Sequence, residues 1–123
     1  MSTDFKAILD LHEAWMCAEL EGRTDDLVAM CSEDVVIAPP GRQPILGLEA
    51  AGAFLKEAAA PIDSLVIDEL AIDLVPGMAV KQARFATRVA GAVEDVQSWH
   101  LWVLRPSWKV TCLTWSIQSA NES

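Results

Sequence analysis

Apolar positions in the first part of the chain recur with helical spacing: Phe5, Ile8, Leu9, Leu11, His12, Trp15, Met16 and Glu19, with Leu20 closing the pattern. Gly22 then stands where a left-handed C-terminal cap is usual. Thr24 reads as the N-cap of a second, short helix running from Asp25 to about Ser32, with Asp25 and Asp26 complementing the helix dipole. Val35-Val36-Ile37 reads as a short strand that enters a rigid loop from Ala38 to Pro44, whose prolines exclude regular structure. Gly47 leads into a third helix, from Leu48 to about Ala60, stopped by Pro61.

Beyond Pro61 the period changes to two. Residues 64–74 and 79–89 read as strands joined through Val75-Pro76-Gly77-Met78, which places Pro and Gly where a type II turn needs them. Ala90-Gly91-Ala92 forms the next turn, and a hairpin carrying Trp99, Trp102, Trp108 and Trp115 closes the sheet. Helices followed by an antiparallel meander make an α+β plan. The hairpin is apolar on both faces: His100, Trp102 and Leu104 share one, and Trp99, Leu101 and Val103 share the other. With Pro106 and Ser107 central in the turn, Leu104 faces Lys109, Trp102 faces Thr111, His100 faces Leu113 and Ser98 faces Trp115. A one-residue bulge would flip half of this assignment. A sheet apolar on both sides must be covered twice, by the helices and by a second subunit.

Composition narrows the classes. The 123 residues fit one domain, and a hydrophobic fraction of 52% is high enough to call for a pocket or an oligomer interface. A net charge of −9 argues against a nucleic-acid partner. No apolar run is long enough to span a bilayer. No basic region leads into an apolar segment at Met1–Lys6, so no secretory signal is read there and a cytoplasmic protein is expected. Cys17, Cys31 and Cys112 have neither metal-site nor redox spacing and read as free thiols. No His, Cys or carboxylate cluster has metal-ligand spacing and no phosphate loop is present, so neither a metal nor a cofactor is expected.

Several local patterns, in this order, resemble the nuclear transport factor 2-like superfamily, within it the SnoaL-like group and its ketosteroid-isomerase relatives. They are Trp15 followed by Gly22 and a short acidic helix; Glu33-Asp34-Val35-Val36-Ile37 running into Pro39-Pro40-Gly41-Arg42-Gln43-Pro44-Ile45-Leu46-Gly47; and Trp108-Lys109-Val110 with Trp115-Ser116. The resemblance spans nearly all of the chain and implies a single SnoaL-like domain over residues 1–123. Its fold would be cystatin-like: a cone-shaped, curved antiparallel sheet wrapped around a long N-terminal helix, with two shorter helices. It also implies an internal pocket and a homodimer through the convex sheet face. Trp99, Leu101, Val103, Val110, Cys112 and Thr114 are expected on that face.

Isomerases of this superfamily carry a tyrosine, an aspartate base and an aspartic acid where this chain offers Trp15, Ala38 and Trp102. Ala38 can shuttle no proton, and ketosteroid-isomerase activity is not expected. The same matching turns Glu19, Phe54, Leu55, His100 and Trp115 inward, and strand parity adds Leu104 and Leu113. Trp15, Phe54, Leu55, Trp102, Leu104, Leu113 and Trp115 are thus the candidate ligand-binding residues, a lining suited to a small hydrophobic or aromatic molecule. Glu19 and His100 are the candidate catalytic pair, for the alternative that the chain is a cyclase, dehydratase or hydrolase. His12 is expected on the helix surface, Asp34 in a turn, and Arg42 as a solvated loop residue.

Overall fold

The helical spacing of the N-terminal segment is realised as α1 (Thr3–Glu21), which buries Ile8, His12, Trp15 and Ala18 along one stripe. In this computed structural model residues 3–118 are described; Met1 and Ser2, at the head of the segment read as lacking a signal, and residues 119–123 lie outside them. Gly22 ends α1 with φ 72°, and Arg23 N–H donates to Ala18 O at 2.8 Å while Gly22 N–H donates to Glu19 O at 3.3 Å. Those two bonds make a Schellman cap.

The next elements depart from the expected boundaries. Helix α2 (Thr24–Ala29) takes Arg23, not Thr24, as its N-cap, and no side chain closes it. The Arg23 guanidinium instead pairs with Glu21 and Asp26. Strand β1 (Cys31–Ala38) begins four residues before Val35, so Asp34 lies within the strand, where its carboxylate accepts from Ser32 Oγ at 2.8 Å. After β2 (Ile45–Leu46), helix α3 (Leu48–Ala58) stops short of Ala60 because Ala59 is already extended, and the two residues between Ala58 and Pro61 leave the helix.

Four long strands follow: β3 (Ile62–Val75), β4 (Met78–Val89), β5 (Val96–Arg105) and β6 (Lys109–Gln118). Gly77, at φ 81°, occupies the position of the β3–β4 turn that a type II geometry reserves for positive φ. The sheet order is β2-β1-β6-β5-β4-β3. Strand β1 runs parallel to β6, so the sheet is mixed and not wholly antiparallel as expected. Register shifts in β3 and in the β5–β6 pair bend the sheet around α1.

The bulge in the β5–β6 hairpin decides which side chains face the core. The turn spans residues 106–108, with Trp108 at φ 55°, and Arg105 pairs with Lys109 and Leu104 with Val110. Past Thr111 the register steps, pairing Trp102 with Leu113 and His100 with Trp115. Leu113 and Trp115 therefore keep the inner face, as expected. Val110 does not keep the outer one: it opposes Leu104 and is fully buried in the core. Among the described residues, no helix is long and apolar enough to cross a membrane.

Candidate functional site

The inner face of β4 is made by Ala79, Lys81, Ala83 and Phe85, all buried. Lys81 stands in phase with three apolar neighbours and is fully enclosed, although a lysine is almost never buried without a partner. Its partners come from two elements. Strand pairing sets Lys81 directly opposite Trp102, and its Nζ lies 3.3 Å from the Trp102 ring centroid. From α1, His12 reaches down so that its Nδ1 is 2.7 Å from Lys81 Nζ. His12 is buried, not on the helix surface as expected, because it lies one turn beyond Ile8 and three residues before Trp15 on the stripe facing the sheet.

The titratable groups here are all shifted towards their neutral forms, as burial dictates. Lys81 is lowered to about 7 by desolvation, with the Glu19 charge resisting. His12 falls to about 4, through desolvation and the neighbouring Lys81 charge. His100 falls to about 3 by desolvation, with Lys81 and His12 adding to it. Glu19 is raised by desolvation, against the opposing pull of a hydrogen bond from Trp15 and the Lys81 charge. Three buried polar atoms have no hydrogen-bond partner among the described residues: Glu19 Oε2, His100 Nδ1 and Trp102 Nε1. Such atoms are rare in folded proteins and costly.

The other sequence-derived residues surround this cluster. Trp15 meets Trp102 edge-on, with centroids 4.8 Å apart. Trp115 lies 6.0 Å from His100 and 6.2 Å from Phe54. Phe85 packs on His100 at 3.9 Å. Leu113 opposes Trp102, whereas Leu104 lies on the far side of Trp102 from His100 and is plain core. Phe54, Leu55 and Trp115 are half-buried against that core. Arg42 is not simply solvated: its guanidinium stacks 5.2 Å from the Phe54 ring centroid. Two surface depressions lie apart from the cluster. One, of about 210 Å³, is bordered by Ser32, Asp34 and Arg105; the other, of about 500 Å³, by Leu46, Leu48 and Ala53.

Sequence reading missed Lys81 and misplaced His12. A signal for Lys81 existed: Ala79, Lys81, Ala83 and Phe85 share strand phase, and a lysine on the apolar phase of a strand is anomalous.

No family model and no curated protein matches this sequence. Solved structures do match in shape. A protein of unknown function from Pseudomonas putida, described as nuclear transport factor 2-like, superposes with a TM-score of 0.86 at 18% identity, covering 99% of this chain and 92% of the other. The fold is nuclear transport factor 2-like. A ketosteroid isomerase-like protein from Erwinia carotovora gives a TM-score of 0.76 at 17% identity, covering 97% of this chain and 99% of that one. The orange carotenoid protein of Anabaena, solved binding canthaxanthin, gives 0.80 at 17% identity over 90% of this chain. This chain spans only 36% of that carotenoid protein's length. A protein with a cystatin-like fold from Nostoc punctiforme also matches, at 0.78.

Proposed function

We propose that this chain binds a small hydrophobic or aromatic molecule between α1 and the inner face of β4–β6, oriented by the polar cluster around Lys81. The observation that carries this reading is the set of three unpartnered polar atoms, Glu19 Oε2, His100 Nδ1 and Trp102 Nε1, set among aromatic rings. A ligand with one or two polar atoms would satisfy them while stacking on the rings. The carotenoid bound by a structural neighbour supports an apolar ligand in this fold.

Titration with flat aromatic ligands is expected to quench tryptophan fluorescence saturably. At a hundredfold excess over Kd it should add roughly 2.7 kcal/mol of stability. Glu19→Gln and His100→Ala should each change the pH dependence of that binding. A thermal-shift panel of aromatic and terpenoid compounds with no response would remove the reading.

The acid–base alternative is favoured by the burial of two groups of opposite kind in one cluster: desolvation raises the Glu19 carboxyl above the usual carboxylate range and lowers Lys81 to about 7. Glu19 then serves as the acid of a dehydratase-, cyclase- or hydrolase-type step. His100, at about 3, is a weak base, and Lys81 is the better one. Ketosteroid isomerisation is not expected, since Ala38 carries no base.

On the convex face, Trp99, Leu101, Val103, Cys112 and Thr114 are half-buried and out of reach of the helices, joined by Val36 and Val80. A second copy of the chain is the proposed cover. Trp99→Glu should turn a dimer into a monomer in sedimentation at micromolar concentration. A wild-type monomer under those conditions would sink the dimer.

A further inference from the structure

We propose that Lys81 is a covalent capture site for apolar aldehydes and ketones, forming a protonated imine through its Nζ. This inference rests on the ligand-binding reading above and names the chemical class of ligand.

Lys81 Nζ is fully enclosed and points at His12 Nδ1, 2.7 Å away, with the Trp102 ring beneath it at 3.3 Å and Phe85 at 5.8 Å. Among the described residues no carboxylate is bonded to the amine, which distinguishes it from a lysine held in a structural ion pair. A neutral imidazole acceptor leaves the amine a route to its neutral, nucleophilic form, as activated lysines require. The aromatic floor suits the carbon skeleton of an apolar carbonyl compound. Glu19, His100 and Trp115 are partly exposed where Lys81 and Trp102 are not, so capture requires entry from their side of the cluster.

Glu19 supplies the proton that imine formation needs. The Nζ lone pair attacks the carbonyl carbon, a C–N bond forms, and the C=O π pair moves to oxygen. A proton passes from nitrogen to that oxygen, giving a carbinolamine. The Glu19 carboxyl then protonates the hydroxyl, water leaves, and the nitrogen lone pair closes the C=N bond. One neutral amine, one carbonyl compound and one carboxylic acid thus become an iminium ion, a carboxylate and water. The iminium charge is offset by the negative charge left on Glu19, the group whose charge acts on the Lys81 amine. The unpartnered His100 Nδ1 is placed to accept from the hydroxyl of the carbinolamine.

Benzoylacetone is the probe. It condenses with an unprotonated amine to a conjugated enaminone whose absorption is distinct from that of the diketone. The full chain should take up one equivalent near neutral pH. Peptide mapping should place it on Lys81 over the exposed Lys6, Lys56 and Lys109 by roughly 100-fold, because an ordinary lysine is unprotonated only about once in two thousand at that pH. The rate should rise as the amine loses its proton, around pH 7, and fall again at higher pH as the Glu19 carboxyl loses its own. The titratable groups around the amine are His12 and Glu19 from α1 and His100 from β5, of which the two histidines are neutral near pH 7; Ile72, opposite on β3, is apolar. Lys81→Met should abolish the absorption band. Should that variant not fold, the peptide map of the wild type decides alone. Label spread evenly over the exposed lysines would overturn the proposal. Naphthalene is the control: naphthalene binding without enaminone formation would overturn imine capture while leaving the binding reading intact, and loss of both would remove both.

Discussion

Trp102→Ala is expected to lower the unfolding free energy by about 3–5 kcal/mol, the range for truncating a fully buried aromatic residue. Trp102 is fully enclosed, opposes Lys81 on one side and Leu113 on the other, and receives the edge of Trp15. Its removal opens a hole where sheet and helix meet and takes away the aromatic face beneath the Lys81 amine. For a domain of this size, the corresponding fall in Tm is roughly 10 °C or more. Trp102→Phe should cost much less, about 1–2 kcal/mol, because a ring remains and the unpartnered Nε1 donor is removed. Urea unfolding measures both, and an unchanged slope would show that the native state alone is affected. A loss under about 1 kcal/mol for the alanine variant would mean that Trp102 is not packed as described.

Lys81→Met is expected to stabilise the protein, most strongly below neutral pH. The folded pKa of Lys81 is lowered to about 7 from an ordinary value of 10.5, so between these limits the unfolded chain binds more protons than the folded one. Wild-type stability therefore rises with pH across that window, and the full cost of the buried amine applies below about 7. Methionine matches the length of the side chain and carries no charge. The gain should be on the order of 2–4 kcal/mol at about pH 6, shrinking towards zero by about pH 10, less the lost contacts to His12 and Trp102. His12 and His100 act in the acid range. Both are lowered, to about 4 and about 3, so stability falls in wild type and variant alike as pH drops below the ordinary histidine value. Glu19 works in the opposite sense: its raised pKa makes stability fall as pH climbs from the ordinary carboxylate range. Chemical denaturation of both proteins between about pH 6 and pH 10 tests the prediction, and a pH-independent difference would show that Lys81 is not a desolvated amine.

The candidate cluster was half legible. Helical spacing, strand parity and the family resemblance turn Trp15, Glu19, Trp102, His100 and Trp115 inward, and the structure packs Trp15 on Trp102 and His100 on Trp115. Lys81 was not found, because a lysine read in isolation belongs to solvent, and only its phase with Ala79, Ala83 and Phe85 marks it as internal. His12 was displaced to the surface for the same reason. A histidine on an amphipathic helix is equally at home at either edge of the apolar stripe until the partner beneath it is known.

The features legible in the chain are local and periodic: the length and buried stripe of α1, the cap at Gly22, the turn at Pro76-Gly77, and the alternation that puts Trp102 and Leu104 on one face of β5. These follow from backbone geometry and from the burial of nearby apolar side chains, both written in neighbouring residues. The remaining features depend on partners distant in the chain. Strand β1 starts at Cys31, through the polar Ser32-Glu33-Asp34, because its parallel partner β6 draws Cys31 opposite Val110. Val110 itself turned inward because the register steps at Thr111, and no local pattern records a bulge. The Lys81–His12 contact joins residues 69 positions apart. A buried amine is tolerable only where an acceptor and an aromatic face meet it, and the packing of α1 on the sheet alone brings those two together.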